Sequence, residues 1–178
     1  MQLRLEQHLV AQLLNAASSG APNEACGLLG GKQGNASRFI AIDNVAANPS
    51  RRYEMDSSQL VKALFAIERD NLELSAIWHS HPRGRPLPSP EDIRAAAWPG
   101  VCQLILGVVN GRSELAAWEI TSGEVRRVPL QIGNAAPDLS PEEESDRKGL
   151  IIWGSAVMAV LLALWLAFSL LPPAPRIP

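Results

Sequence analysis

Residues 72–92 read LELSAIWHSHPRGRPLPSPED, and they contain the pattern from which the fold and the chemistry can be worked out. The apolar residues 72–80 predict a buried β-strand, and the prolines that follow predict a loop. Because alternate residues of a strand point to the same side, His79 and His81 should present two imidazole rings together. Such a pair could supply two ligands of one metal ion, or it could simply lie on a polar face of the strand.

A helix start follows the proline-rich loop. The serine, proline and two acids from Ser89 onward are typical of an N-cap and first helical turn, and we expect this helix to run to about Trp98. Asp92 lies in that first turn, and the loop is long enough to bring its carboxylate back to the histidines. Two histidines and an aspartate would leave one position of a zinc ion open for water, whose pKa zinc lowers to about 7. Ser89 and Asp92 could equally act only as helix-capping residues.

Metal-assisted hydrolysis also needs a general base that does not bind the metal. Glu24 lies just before the apolar run over 25–31 and is a candidate for this role. On spacing alone, the same residue also fits a solvated surface carboxylate.

The segments on either side alternate between predicted helices and predicted strands. This interleaving predicts an α/β or α+β domain, with tryptophans 78, 98 and 118 in its core. The predicted helices cover residues 3–18, 56–69 and 89–98, and the predicted strands cover residues 25–31, 37–45, 72–80, 101–109, 114–120 and 124–130, with a further short strand near Tyr53 and Met55.

The charges argue against a nucleic-acid partner. The chain has 178 residues with 16 Lys+Arg and 18 Asp+Glu, and residues 1–132 contain 13 bases and 13 acids. A neutral body without a basic stripe lacks the electrostatic footprint of a nucleic-acid-binding protein. The two cysteines, Cys26 and Cys102, are far apart and lie in apolar runs. They indicate neither a disulfide framework nor a cysteine-type zinc site, and they should pack as small hydrophobic residues.

A long apolar run near the end of the chain predicts a membrane anchor. Leu150 to Leu171 contains 22 residues without a charge, enough for a transmembrane helix, although a buried core helix is the alternative. The first residues lack the apolar run of a signal peptide. Arg147 and Lys148 precede the run, which favours a single-pass, tail-anchored protein with a cytoplasmic body. Small residues at helical spacing in the run could serve a helix-mediated partner or homodimer, or could belong to a plain anchor.

These observations predict four parts of the chain. A globular domain would cover residues 1–132 and an acidic, proline-containing linker residues 133–149. The transmembrane helix would cover residues 150–171, and a short tail residues 172–178.

The pattern of the candidate ligands and the candidate base resembles the signature of a known family. His79-Ser80-His81, seven residues, Ser89, two residues and Asp92 resemble the JAMM signature H-[ST]-H-x7-S-x2-D. The segment that begins at Glu24, EACGLLG, is similar to the upstream segment of the same family. The resemblance to the JAMM (MPN-plus, Mov34/PAD-1-like) domain covers about residues 1–131 and implies a mixed β-sheet flanked by helices, with a cytidine-deaminase-like core.

The resemblance also implies the chemistry of the site. His79, His81 and Asp92 would hold one Zn²⁺, Glu24 would act as general acid and base, and Ser89 would donate a hydrogen bond to the oxyanion. Family members cleave amide bonds after the C-terminal Gly-Gly of ubiquitin or ubiquitin-like proteins, and bacterial and archaeal members process ubiquitin-like or sulfur-carrier proteins. The few residues between Asp92 and the next predicted strand favour a minimal prokaryotic-type enzyme, and the apolar run over 150–171 would tether it to a membrane. The alternatives are a non-catalytic membrane-anchored scaffold and a membrane-proximal zinc peptidase without ubiquitin-like specificity.

Overall fold

The computed structural model describes residues 2–135, which form one β-sheet with helices on both of its faces. The first half of this part runs through β1 (Leu3–Leu5), α1 (Gln7–Gly20), β2 (Cys26–Lys32), β3 (Asn35–Ile42) and α2 (Ser57–Arg69). The second half contains β4 (Glu73–His81), α3 (Pro90–Ala95), β5 (Cys102–Val109), β6 (Arg112–Thr121), β7 (Glu124–Val128) and β8 (Leu130–Ile132).

The eight strands lie in the order β7-β6-β5-β4-β2-β3-β1-β8. The pairs β4–β5, β1–β3 and β1–β8 are parallel, and the other neighbours are antiparallel. The predicted mixed sheet flanked by helices is therefore confirmed. Its central strands, β2 and β4, are covered on both sides, which explains their nearly continuous apolar sequences.

Each helix layer buries one face of the sheet. Helix α1 packs its buried Leu9 and Leu13 into a cluster with Leu29 and Trp78. Helix α2 packs against the other face, where its buried residues share a cluster with Leu28 and Ile77. Because side chains alternate along β4, His79 points to the same face as Ile77, the face that α2 covers.

Some predicted boundaries were wrong for reasons of tertiary structure. Leu3–Leu5 forms a strand rather than the start of the first helix, because it pairs with β3 and β8. The last predicted strand is divided at Pro129, which has no backbone N–H to donate to a ladder. Helix α3 ends at Ala95, ahead of the predicted end. Trp98, predicted to lie in the core, is 38% exposed.

The predicted membrane location requires correction. Within residues 2–135, no helix has the length and apolar character needed to cross a membrane. The longest helix in that range, α1, has 14 residues and would extend only about 21 Å, against about 30 Å for a bilayer core. The predicted span and its possible helix-mediated partner, the tail and most of the linker lie outside the described residues. A membrane anchor and a tail-anchored location therefore form no part of the function proposed below.

Candidate metal centre and active site

The two histidines lie at the carboxyl end of β4 and face the same side of the sheet. Their Nε2 atoms are 3.1 Å apart, and His79 is fully buried. The backbone carbonyl oxygen of Arg85, in the proline-rich loop, lies 3.0 Å from His81 Nδ1. A carbonyl oxygen can only accept a hydrogen bond, so Nδ1 carries the proton and Nε2 keeps its lone pair for a metal ion.

Helix α3 brings Asp92 to the two imidazoles. The Asp92 Oδ1 atom lies 3.5 Å from His79 Nε2, and Oδ2 lies 3.5 Å from His81 Nε2. The first turn of α3 forms a capping box, in which Ser89 Oγ accepts from Asp92 N at 3.1 Å and Asp92 Oδ2 accepts from Ser89 N at 2.7 Å. The capping alternative and the ligand hypothesis are therefore compatible, since the box itself fixes the carboxylate beside the histidines.

These three side chains fit one zinc ion. One ligand atom from each lies within 4.8 Å of the others. Donor atoms arranged tetrahedrally around zinc at 2.0–2.1 Å would be about 3.3 Å apart, which is close to the separations of 3.1 and 3.5 Å between the donors here. Two imidazoles and a carboxylate are also the donor types that zinc prefers. The predicted zinc cofactor is supported by this grouping.

The carboxyl group of Glu24 lies in a nearly buried position beside this cluster. Its Oε2 atom has no hydrogen-bond partner among the described residues, and the residue is only 7% exposed. Burial raises its pKa to about 7, while nearby His81 lowers it and Asp92 raises it further. A buried carboxyl group with a pKa near neutrality and a free oxygen is suited to take up and release a proton.

Two polar residues fix the backbone around Glu24. Ser80, between the two histidines, accepts a hydrogen bond from Ala25 N through its Oγ at 2.9 Å. Asn44 Nδ2 donates to the carbonyl oxygens of Glu24 at 2.8 Å and Arg52 at 3.1 Å. The Asn44 Oδ1 atom accepts from the backbone N–H groups of residues 46 and 54. Asn44 thus ties the candidate base to the loop that follows β3.

That loop also covers His79. The Tyr53 ring stacks on the His79 imidazole with 4.5 Å between ring centroids and 23° between planes. The neighbouring Arg52 pairs with Glu91 of α3 at 3.3 Å. The loop therefore contacts the site from both the β4 side and the α3 side.

The proline-rich loop lies close against β5, where Gly107 makes room for it. A Cβ atom at Gly107 would lie 2.4 Å from Pro86 N and 2.5 Å from Gly84 O. The Trp118 Nε1–H donates to the Pro86 carbonyl at 2.8 Å. The close packing at Gly107 and the Trp118 hydrogen bond together hold the segment that presents the Arg85 carbonyl to His81.

Electrostatic interactions favour a charged Asp92 and a neutral His79. Burial alone would raise the pKa of Asp92, but hydrogen bonds with His79 and His81 outweigh it and hold that pKa well below its usual range. Burial lowers the pKa of His79, which favours the neutral ring that a metal ion needs. For His81 burial also acts to lower the pKa, but contacts with Asp92 and the Arg85 carbonyl produce a net rise.

The structure brings together His79, His81 and Asp92, and it places Glu24 and Ser89 beside them. Asn44, Tyr53, Arg85 and Gly107 were not identified from the sequence as parts of the site. The polar Asn44, two residues after the end of β3, was the one local feature that could have drawn attention to that loop. Cys26 and Cys102 are buried, as predicted, and both have free thiols.

A mixed sheet that presents two histidines, an aspartate and a buried glutamate at one strand end defines a metal-dependent hydrolase site. The sequence model of the prokaryotic homologues of the JAB domain matches residues 6–121, and the chain belongs to this family. The predictions of a JAMM family member and of a JAMM-type peptidase are confirmed by this match together with the relatives described next.

Three relatives with described activities are similar to this chain. A "Probable TtuB-protein conjugate cleaving protease" of Thermus thermophilus is 47% identical over 78 residues, 44% of this chain and 52% of that protein, so the match spans about half of the relative. A desampylase of Haloferax volcanii is 33% identical over 126 residues, 70% of this chain and 88% of the relative. A CysO-cysteine peptidase of Mycobacterium tuberculosis is 30% identical over 129 residues, 68% of this chain and 88% of the relative.

A solved structure shows the same fold. The solution structure of a protein from Desulfitobacterium hafniense matches with a TM-score of 0.68 at 24% identity, over 75% of this chain and 94% of that chain. The likeness concerns the fold alone, and it agrees with the α+β architecture described above.

Proposed function

We propose that this chain is a zinc-dependent peptidase or isopeptidase that hydrolyses the amide bond after the C-terminal Gly-Gly of a ubiquitin-like or sulfur-carrier protein, with residues 1–132 as its catalytic domain. The observation that carries the proposal is the cluster of His79, His81 and Asp92 beside Glu24, whose Oε2 is buried without a partner.

Two of the three ligand residues, His81 and Asp92, have a hydrogen-bonded support in this proposal. His79 and His81 would hold the metal through Nε2, and the Arg85 carbonyl keeps His81 in the required tautomer. Asp92 supplies a carboxylate that the capping box orients. When bound, zinc supplies a Lewis acid that activates water and polarises the substrate carbonyl.

Glu24 moves the proton. Its carboxylate takes a proton from the attacking water and then passes it to the departing nitrogen, so one residue acts first as base and then as acid. A pKa near 7 suits both steps at neutral pH. Asn44 donates to the carbonyl oxygen and Ser80 accepts from the N–H of the single peptide group that follows Glu24.

Ser89 stabilises the oxyanion. Its Oγ accepts a hydrogen bond from the backbone of Asp92, and a hydroxyl that accepts one bond keeps its own proton to donate. In the proposal that proton is donated to the oxygen on which negative charge develops, a contribution worth about 2–4 kcal/mol in comparable sites.

The substrate class rests on the relatives and on the shape required of the substrate. The relatives' names describe cleavage of TtuB-protein conjugates, desampylation and a CysO-cysteine peptidase. A glycine tail is a suitable substrate because glycine lets the backbone approach the metal and the walls of the site closely.

The test is a cleavage assay with the full-length chain. Ubiquitin-like and sulfur-carrier proteins from the same genome, each joined past Gly-Gly to a lysine side chain or to a short peptide, are incubated with zinc-loaded protein. Intact mass should show release of a carrier that ends in Gly-Gly.

Chelated enzyme and carriers whose last two glycines are replaced by valine serve as controls. The proposal expects no cleavage in either control. Cleavage that survives chelation, or that ignores the tail sequence, would contradict it.

A further inference from the structure

The two histidines of the candidate metal centre are held in different ways. The Arg85 carbonyl oxygen accepts a hydrogen bond from His81 Nδ1 at 3.0 Å and so fixes the ring of His81. The Nδ1 atom of His79 is buried and has no hydrogen-bond partner among the described residues. A histidine that binds a metal through one nitrogen nearly always donates a hydrogen bond from the other, which orients the ring. Within residues 2–135, His79 therefore lacks the usual support of a metal ligand.

The neighbours of His79 within the sheet do not supply this hydrogen bond. Cys26 on β2 and Ile105 on β5 lie directly beside it in the strand register. The Cys26 thiol donates to the Ile42 carbonyl oxygen at 3.4 Å, and Ile105 has no polar side-chain atom. Rotation about the bond that joins an imidazole to its Cβ has only broad minima, so the position of His79 on the strand does not define the plane of its ring.

The Tyr53 ring contacts His79 face to face. The ring centroids are 4.5 Å apart and the two planes make an angle of 23°. Tyr53 also packs against the buried cluster that contains Leu28 and Ile77, so the core supports it from behind. A ring stacked at this distance leaves the imidazole little room to turn out of its plane. The contact is made by the ring, and a phenylalanine at residue 53 could make it equally well.

One side chain holds the backbone on both sides of Tyr53. Asn44 Nδ2 donates to the Arg52 carbonyl oxygen at 3.1 Å, and Asn44 Oδ1 accepts from Glu54 N at 3.0 Å. Tyr53 thus lies between two residues whose backbone groups are fixed by the same amide. Its ring is presented to His79 from a defined backbone position.

We propose that Tyr53 is a positioning residue of the metal centre: its ring fixes the plane of the His79 imidazole and thereby aims the Nε2 atom of His79 at the zinc ion. Stacking on His79 takes the place of the hydrogen bond that His81 donates to the Arg85 carbonyl. The inference rests on the proposed function in one respect, the assignment of the two histidines as zinc ligands, and it requires nothing of the substrate.

A second aromatic residue separates this role from ordinary packing. Phe39 is half-buried like Tyr53, and its ring contacts the Trp78 ring edge-on with 5.2 Å between centroids. Trp78 precedes His79 in β4 and faces the opposite side of the sheet. Leucine at residue 39 or at residue 53 removes one aromatic contact with β4, but only Tyr53 contacts a candidate metal ligand.

The test measures zinc binding by the full-length chain in competition with a chromogenic chelator. Tyr53→Leu should weaken zinc affinity by about 10- to 100-fold, the loss typical when the support of a ligating histidine is removed. Tyr53→Phe keeps the ring and should bind zinc like the wild type. Phe39→Leu should also bind zinc like the wild type, although urea unfolding of the metal-free protein should show that both leucine variants are less stable. Tyr53→Met fills the same space without a ring and replaces Tyr53→Leu if that variant does not fold.

Cobalt provides a readout of ligand geometry that a loss of stability would not change. Co²⁺ can take the place of Zn²⁺, and its visible absorption depends on the coordination geometry. At saturating Co²⁺, the wild type, Tyr53→Phe and Phe39→Leu should give the same spectrum. Tyr53→Leu should give a weaker and shifted spectrum, because the His79 ring is no longer held in one plane.

The outcomes separate this inference from the proposed function. Wild-type zinc affinity and a wild-type cobalt spectrum in Tyr53→Leu would overturn the assignment, and so would losses of zinc affinity of the same size in Tyr53→Leu and Phe39→Leu. A wild-type chain that binds no metal would overturn it together with the proposed function. Zinc binding that depends on the Tyr53 ring, in a chain that cleaves no Gly-Gly substrate, would support this inference and refute only the proposed function.

Discussion

The side-chain amide of Asn44 donates a 2.8 Å hydrogen bond to the backbone carbonyl oxygen of Glu24, the residue proposed to move the proton. The same amide group also bonds to the Arg52 carbonyl and accepts from two N–H groups of the loop that carries Tyr53. One half-buried side chain thus joins the candidate base to the ring that stacks on His79.

Removal of the Asn44 amide should loosen both the backbone at Glu24 and the loop that carries Tyr53. Asn44→Ala leaves several backbone groups without partners, and we expect it to destabilise the metal-free protein by about 2 kcal/mol and to lower kcat more than zinc affinity. Urea unfolding and zinc titration measure the two effects. Asn48→Ala is the matched control, because Asn48 lies in the same loop and, within residues 2–135, its side chain bonds only to the exposed Ser50 hydroxyl. An Asn44→Ala protein as stable and active as the control would contradict this role.

The burial of Glu24 predicts a specific pH dependence of stability in the metal-free chain. Its pKa rises from an ordinary 4.5 to about 7, chiefly through burial. The unfolded chain therefore releases this proton at lower pH than the folded chain, and the contribution of Glu24 to stability is lost as pH rises from about 4.5 to 7. Glu24→Gln should be more stable than wild type by about 2–3 kcal/mol at pH 8 and similar to it at pH 4.5.

Urea unfolding with chelator at several pH values measures this difference. Glu54→Gln, on an exposed neighbouring position, is the control and should follow the wild type. A constant difference between Glu24→Gln and wild type across the range would show that Glu24 is not buried in the manner described.

The close approach of the proline-rich loop to β5 should control zinc affinity. Gly107→Ala would place a Cβ atom 2.4 Å from Pro86 N, so the loop has to move and the Arg85 carbonyl loses its place beside His81 Nδ1. Loss of such a supporting hydrogen bond costs about 10- to 100-fold in metal affinity. Competition with a chromogenic chelator measures the change. Gly123→Ala, in a turn with open space around the new Cβ but with a φ of +84° that strains alanine, should lose some stability and still bind zinc like the wild type.

The cysteines should be inert in the folded protein. Burial raises the pKa of Cys26 and of Cys102 to about 12, so at pH 8 the reactive thiolate should be roughly a thousandfold scarcer than in the unfolded chain. Mass spectrometry after treatment with iodoacetamide should show no rapid labelling of native protein and two labels in urea. Fast labelling of the native chain, or a loss of bound zinc on labelling, would contradict the assignment of both thiols as packing residues.

The parts of this fold that follow local rules could be predicted from the sequence. Asp56 caps α2, and Ser89 caps α3, because each supplies a side-chain acceptor directly before a helical run. The pairing of His79 with His81 follows from strand alternation alone. Spacing left the ligand set and the base open, the family pattern selected them and added the oxyanion donor, and their roles remain predictions.

The remaining parts depend on contacts between distant segments. Leu3–Leu5 has the spacing of a helix, but pairing with β8, from the far end of the domain, makes it a strand. The partners of Asn44 and the space beside Gly107 are likewise set by other segments. The membrane location was predicted from the length and hydropathy of residues 150–171 alone. Among residues 2–135 the structure contains no helix that could cross a membrane.

The most direct test of the central claim is a titration of zinc into metal-free full-length chain while cleavage of a Gly-Gly conjugate is followed by intact mass. We expect the rate to rise linearly and to level off at one zinc per chain. Glu24→Gln should bind the same single equivalent and cleave slower by about 10²- to 10⁴-fold, because the proton has no carrier. Cleavage by the metal-free chain, or a Glu24→Gln protein as fast as wild type, would contradict the account.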